Sequence, residues 1–312
     1  MNNIILIFFI LLVYFLFNKL NKANENFSNK IFLLSIIVLS LVNQTTRKLT
    51  IETLKIQTSN PILYVTSFNK KIYETSGIKL INSFIKYIDN ADMLVCYENI
   101  DLERRHNIKG IIKHNLNNDK YLNDWLNENI DIIPVDLGGE SKMKLDIWNY
   151  RASLWFRKVA SLNYAKRNYG GKYNEIIWID ADCVFIKKLL YNVIKEHLLD
   201  YDSLYMYGKK RINNAQTSVE TGLIIFNSKN NYQAITKLCD EYKNKNFRKY
   251  KRWDDGYVYE MMLKNNKDNN SFKNKDLVIN AKNVSNPLSD TVFGKYIEHN
   301  KGKHEKLFFR TI

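Results

Sequence analysis

The chain has 312 residues, with 47 lysines and arginines against 32 aspartates and glutamates, a net charge of +15, and only 3 prolines and 11 glycines. That length holds one large domain or two small ones. Lysine and asparagine are abundant throughout, so the positive charge belongs to the whole composition and does not single out nucleic acid as a partner; what it leaves is a basic cleft suited to a phosphate or diphosphate substrate. Cys96, Cys183 and Cys239 have no paired spacing, which excludes a disulfide framework and a cysteine-based zinc site.

Ile4 to Phe17 carry no charge, and a second apolar run, Ile31 to Val42, follows a stretch containing Lys19, Lys22 and Lys30. Each run is shorter than the roughly 20 residues of a spanning helix, and large residues after Phe17 leave no cleavage site, so the segment reads as an uncleaved signal anchor. The lysines between the runs allow a hairpin with both ends lumenal, or a single span with a cytosolic domain. The expected organisation is a membrane anchor at 1–42, a stem at 43–60 and a domain at 61–312, with a lumenal, Golgi-like location.

From Pro61, short apolar runs alternate with helical patterns, the signature of an α/β domain with a mostly parallel central sheet flanked by helices. Strands are expected at Ile62–Ser67, Met93–Tyr97, Ile132–Leu137, Ser203–Tyr207, Gly222–Asn227 and Leu277–Asn280. Helices are expected near Ile78–Tyr87, Tyr150–Asn168, Tyr232–Asn244 and Gly256–Lys264. The stretch between Tyr97 and Ile132 reads as polar loop, and Asn265–Lys275 as a solvated loop.

Glu175 to Phe185 (EIIWIDADCVF) reads as one buried strand broken by two aspartates. Four successive apolar residues require cover on both faces, which places the strand in the middle of the sheet. In an extended chain Asp180 and Asp182 share a face, and two like charges held together call for a divalent cation, which prefers hard oxygen ligands. A second copy, Asp200-Tyr201-Asp202, lacks a preceding apolar strand, so context and not the bare pattern carries the signal. The competing reading is that the pair caps a turn.

In that context the chain resembles the GT-A fold glycosyltransferases, nearest to the glycogenin-like and the α-galactosyl or α-xylosyl transferase families, over Pro61 to the carboxyl terminus. The resemblance implies a Rossmann-like GT-A fold and Mn²⁺ or Mg²⁺ held by Asp180, Asp182 and His299. It places the donor on Arg151, Arg157 and Lys158 of the preceding helix, on Asp180, Ala181 and Asp182, on Glu220, Thr221 and Gly222 of ETGLIIFNS, and on Gly302 and Lys303. The families often carry asparagine where Glu220 stands, and a lysine where Glu305 stands. Asp254 and Asp255 match their acidic acceptor-side motif; read from the residues alone, one caps a helix and the other either contacts sugar hydroxyls or takes the acceptor proton. His299 is either an imidazole ligand or a solvated tail residue.

These readings combine into a metal-dependent enzyme that moves a sugar from a UDP or GDP donor to a glycan, protein or lipid hydroxyl with retention of configuration. The alternatives are a metal-dependent nucleotidyl- or phosphoryl-transferase, which the missing GxxxxGK[ST] loop disfavours, and a basic membrane-tethered binding protein.

Overall fold

The structure is a computed structural model and describes residues 61–103, 105–132, 151–208, 219–269, 271–278 and 286–301. The anchor and stem expected at 1–60, together with Gly302 and Lys303, lie outside the described residues. No helix among the described residues is long and apolar enough to cross a membrane.

The strands are β1 (Ile62–Asn69), β2 (Ala91–Glu98), β3 (Ile111–Asn115), β4 (Glu175–Ile179), β5 (Cys183–Phe185), β6 (Ser203–Tyr207), β7 (Val219–Asn227), β8 (Asn274–Asp276) and β9 (Ile297–His299). The longer helices are α1 (Ile78–Tyr87), α2 (Lys120–Glu128), α3 (Ala152–Tyr169), α4 (Tyr191–Leu198), α5 (Gln233–Lys243) and α6 (Asp255–Asn269). Seven strands form one sheet in the order β3-β2-β1-β4-β7-β6-β8, parallel except for β7, which runs against both neighbours. β4 is the middle strand, as its unbroken apolar run requires. Its residues alternate between two cores: Ile176 and Trp178 pack on one face with α3 and α5, Ile177 and Ile179 on the other with α1 and α4.

Four expectations need correction. The strand read through Phe185 breaks at the acid pair: β4 stops at Ile179, Cys183 N–H donates to the Asp180 carbonyl at 3.0 Å, and β5 leaves the main sheet to pair antiparallel with β9. Asp180 and Asp182 therefore lie in a tight turn, and strand alternation is not what orients them. The polar stretch after Tyr97 holds β3 and α2, whose start is marked by Asp119 accepting from Leu122 N–H at 2.8 Å and whose inner face buries Leu122 and Trp125. Ile132 lies in the 3₁₀ turn Ile130–Ile132, and the rest of the strand expected to Leu137 falls outside the described residues. In place of the strand expected at Leu277–Asn280 the strand is Asn274–Asp276, ahead of Leu277, and α6 runs through Asn269 into the expected loop. β8 is polar because it is an edge strand anchored by side chains: Ser203 Oγ donates to Asn274 at 2.6 Å, and Tyr207 N–H to Asp276 at 2.9 Å.

At the far end of β4 from the acid pair, Glu175 is buried with one carboxylate oxygen accepting from Tyr191 at 3.1 Å and the other without a partner. Burial pushes its carboxyl up to about 7, against the opposing pull of Tyr191 and Lys195. Below the ordinary glutamate range both states carry the proton and burial costs little; as pH rises towards 7 only the unfolded chain ionises, and stability falls. The stability difference between wild type and Glu175→Gln is expected to shift against the wild type by roughly 1–3 kcal/mol from pH 4 to pH 8 in urea unfolding; a pH-independent difference contradicts this account.

Candidate active site

The site forms where β4 ends, from the acid turn, the start of β7, the start of α6 and the carboxyl-terminal strand β9. Asp180 N–H donates to the Gly222 carbonyl at 2.9 Å, which ties the turn to β7. Trp178, two residues earlier, donates its indole N–H to Asp180 Oδ1 at 2.7 Å. Ala181, expected among the donor contacts, has its side chain in the apolar core with Ile179 and Cys183. This buried alanine fixes the turn so that the two aspartates, 29% and 30% exposed at their side chains, face the cleft.

β9 delivers His299. Cys183 pairs with His299 in the two-stranded sheet, Asn300 N–H donates to the Asp182 carbonyl at 3.0 Å, and Asn286 Nδ2 donates to the His299 carbonyl at 3.0 Å. The imidazole Nε2 lies 3.1 Å from Asp182 Oδ1, while Nδ1 is buried with no hydrogen-bond partner. Burial would lower the pKa of His299, but the hydrogen bond and charge of Asp182 overrule it and hold the imidazole above its ordinary value. For Asp182 burial works the other way, upward, and the hydrogen bond to His299 wins, holding its carboxyl low. A Cβ on Gly222 would stand 2.7 Å from His299 Cε1 and 3.0 Å from Nδ1, so β7 must carry glycine where the imidazole passes over it.

Lys158, from α3, is the counterweight. It is buried, 3.1 Å from Asp180 Oδ1, in contact with Asp255, and donates to the carbonyl and hydroxyl of Thr221, both at 3.1 Å. Burial alone would depress its pKa; Asp180 and Asp255 raise it above the normal lysine value, so the ammonium stays charged. Thr221 also donates to Asp255 Oδ2 at 2.7 Å, closing the network.

The two acids of α6 separate cleanly. Asp254 is the cap: it accepts from Tyr257 N–H at 3.2 Å and pairs with Arg252 at 2.7 Å. Asp255 turns towards Lys158 and the acid turn. The basic residues of α3 also divide. Arg157 is committed to Glu98 at the end of β2 and to the Ser153 carbonyl at 2.5 Å. Arg151, at the start of α3, keeps a buried Nε without a partner. Glu220 accepts from Gly222 N–H at 3.2 Å and pairs with Lys301.

Donor atoms of Asp180, Glu220 and His299 lie within 4.8 Å of one another, as do those of Asp182, Cys183 and His299. His299 is common to both sets. The Cys183 thiol is pushed far up by burial and then by the neighbouring carboxylates, and a hard cation favours the oxygen set over the one that includes this soft sulfur. Oxygen donors with one imidazole, including a buried and unpaired Nδ1, fit a divalent cation of the Mn²⁺ or Mg²⁺ kind. The charges agree. Asp180, Asp182, Glu220 and Asp255 face Lys158 and Lys301, so the cluster is short of positive charge whichever state the imidazole takes.

Sequence reading found every acid here but missed three supports: Trp178, Asn286 and the pairing of Lys301 with Glu220. Trp178 escaped because its indole reaches Asp180 across the start of a turn that the sequence does not reveal. Asn286 carries no sequence signal. The second Asp-x-Asp is structural: buried Asp202 accepts from Lys273 N–H at 2.6 Å and Asn230 at 2.7 Å, while Asp200 pairs at the surface with Lys229.

No protein-family model matches the chain, and no curated protein matches it. Among solved structures it is similar to mouse xyloside xylosyltransferase 1, at 11% identity and a TM-score of 0.43 over 78% of this chain and 98% of that one. It is also similar to the glycosyltransferase GlyE of Streptococcus pneumoniae TIGR4, at 12% identity and a TM-score of 0.39 over 69% of this chain and 44% of that one. A third similar structure is the bifunctional glycosyltransferase WbbM, at 15% identity and a TM-score of 0.38 over 64% and 37%. The chain thus spans less than half the length of the last two.

Lys158→Met leaves Asp180 and Asp255 without their cation. The variant is expected to lose about 3 kcal/mol at pH 7, measured by urea unfolding, as a buried ion pair does when one partner is removed. A loss below about 1 kcal/mol contradicts the assigned pairing.

Proposed function

We propose that this protein is a divalent-metal-dependent glycosyltransferase that moves a sugar from a UDP or GDP donor to a hydroxyl acceptor with retention of configuration. The observation that carries the reading is that one imidazole, His299, meets Asp182 directly and lies within reach of Asp180 and Glu220, with its buried Nδ1 unpaired. A cation held by Asp180, Asp182 and His299, with Glu220 beside them, supplies charge stabilisation to a diphosphate leaving group. Mn²⁺ or Mg²⁺ suits this donor set.

The chain's own groups do the remaining work. Lys158 keeps a full positive charge in a buried place beside Asp180 and tempers the repulsion among the acids. Asp255 and Thr221 fix that ammonium. The unpaired Nε of Arg151 is a ready donor for a phosphate oxygen. Asp254, capped into α6 and held by Arg252, sets the rim of the acceptor side, and burial raises its carboxyl despite Arg252. Gly222 keeps the wall of β7 thin enough for His299 to reach the turn. Attachment to a membrane through residues 1–42 and a lumenal location belong to the same proposal.

A panel of UDP- and GDP-sugars with Mn²⁺ is expected to show sugar transfer or slow donor hydrolysis that chelation abolishes, with a retained anomer by NMR. Asp182→Asn is expected to lose at least about a hundredfold in kcat, the scale of removing a preorganised charge at a leaving group. Turnover that ignores chelation and Asp182→Asn rejects the metal site; no turnover or binding of any donor rejects the sugar-transfer reading. Gly222→Ala is expected to fold and to behave like a His299 loss, because the new methyl group occupies the imidazole's path; wild-type activity in that variant contradicts the geometry.

A further inference from the structure

We infer that the end of the domain opposite the active site rests on an anionic lipid surface through α4 and the segment leading into it. The sheet defines the two ends. The acid turn follows the last residue of β4, whereas Pro61, Asn174 and Glu175 mark the opposite end, where the N–H groups of Asn174 and Glu175 both donate to the Pro61 carbonyl. Tyr191, the first residue of α4, reaches Glu175 there at 3.1 Å, and the chain leaving α4 enters β6 at Ser203, paired with Phe226 near the end of β7. α4 therefore lies across this end of the sheet, with Ile194 and Leu198 turned into the core.

α4 and its flanks leave large apolar side chains outside. Ile186, Leu190 and Leu199 are 41%, 55% and 65% exposed, three of the eight large apolar residues exposed among the described residues. Leu199 is held at φ +39, a backbone region that non-glycine residues rarely adopt, so the strand-bound chain presents this leucine at some cost. Lys187, Lys188 and Lys195 are exposed between these residues. The acids nearby offset them only in part: Asp89 is paired with Lys188 and Asp200 with Lys229, and Glu196 and Glu298, the latter across from Val184, stand against Lys187, Lys195 and Lys295. Scattered apolar side chains interleaved with lysines match the boundary between headgroups and acyl chains, where lysine meets anionic lipid and leucine and isoleucine leave water.

The occupant follows from where the described chain begins. Pro61 stands at this same end, and the residues before it in sequence include the uncharged run Ile4–Phe17 and the apolar run Ile31–Val42. A chain that meets a bilayer through those runs delivers it to the end of the sheet that carries the lysine and leucine face. A second copy of the chain would set lysines against lysines. On this account the active site faces away from the bilayer, open to an acceptor in the aqueous phase or extending from the membrane. The inference is independent of the sugar-transfer reading.

The test is vesicle flotation of the full chain, on pure phosphatidylcholine and on vesicles with 30% phosphatidylserine. Binding to the neutral vesicles reports the amino-terminal runs; the additional, salt-sensitive binding to the anionic vesicles reports this face. Lys187→Glu, Lys188→Glu and Lys195→Glu together are expected to remove that increment, about tenfold or more in partition coefficient, while neutral-vesicle binding stays. A control with Lys109→Glu, Lys243→Glu and Lys251→Glu has the same net charge and is expected to keep most of it. Leu190→Ser with Leu199→Ser, which alters no charge, is expected to weaken the anionic binding by a smaller factor. Equal losses in the two triple variants mean bulk charge attraction and overturn the inference. So does the absence of any increment, including the case where the face proves to pair two copies in sedimentation or to shift an RNA oligonucleotide.

Discussion

The contact between Asp182 and His299 is the constraint on which the rest of this site depends. A histidine near the carboxyl terminus meets an aspartate in the middle of the chain because β5 departs from the main sheet and pairs with β9, residue for residue from Cys183 with His299 to Phe185 with Ile297. The departure itself comes from the tight turn at Asp180–Asp182, which ends the central strand while its last backbone groups are still bonded to β7. Side chains then follow from backbone: Ala181 goes into the core, the aspartates go into the cleft, and Gly222 leaves room for the imidazole. Each is a small residue or a polar one at a place where the alternative would clash or bury a charge.

The electrostatics obey the same logic. Four carboxylates gathered at one end of a sheet are mutually repulsive, and the protein offsets this with a lysine whose burial would favour the neutral form were the acids absent. Lys158 touches two of them, Lys301 a third, and His299 the fourth. The cluster stays short of positive charge, which is the condition under which a divalent cation binds and an anionic diphosphate is then attracted. The basic excess of the whole chain is a background to this arrangement and not its source.

Much of the architecture was legible in the residues, for physical reasons that also mark where legibility ends. An unbroken run such as Ile176–Ile179 can only be a strand covered on both sides, and it is the middle one. The short apolar run at Ile62–Ser67 and the helical segment around Ile78–Tyr87 were equally plain. β3 and α2 were missed because asparagine and lysine dominate their exposed sides, and a single cap at Asp119 with Leu122 and Trp125 beneath is a weak signal in an asparagine-rich chain. β8 was displaced because its stability comes from side chains gripping backbone at the sheet edge, which hydropathy does not register.

Among the candidate site residues, the acids were found by type and context, but their division of labour needed three dimensions. Asp254 and Asp255 are adjacent in sequence and opposite in role, since one closes the first turn of α6 and the other neutralises Lys158. Arg157 and Lys158 are likewise neighbours, and only the lysine reaches the acids. Helical geometry places consecutive side chains about 100° apart, so adjacent residues seldom share a partner.

The central claim is that Asp182 and His299 together hold a divalent cation. Titration of Mn²⁺ into the full chain, followed by loss of the free-ion electron paramagnetic resonance signal, tests this without any substrate. The account predicts one site in the wild type and at least about tenfold weaker binding in both His299→Ala and Asp182→Asn, the scale reported by lost ligands and their hydrogen-bonding supports. Undiminished Mn²⁺ binding in both variants would contradict it.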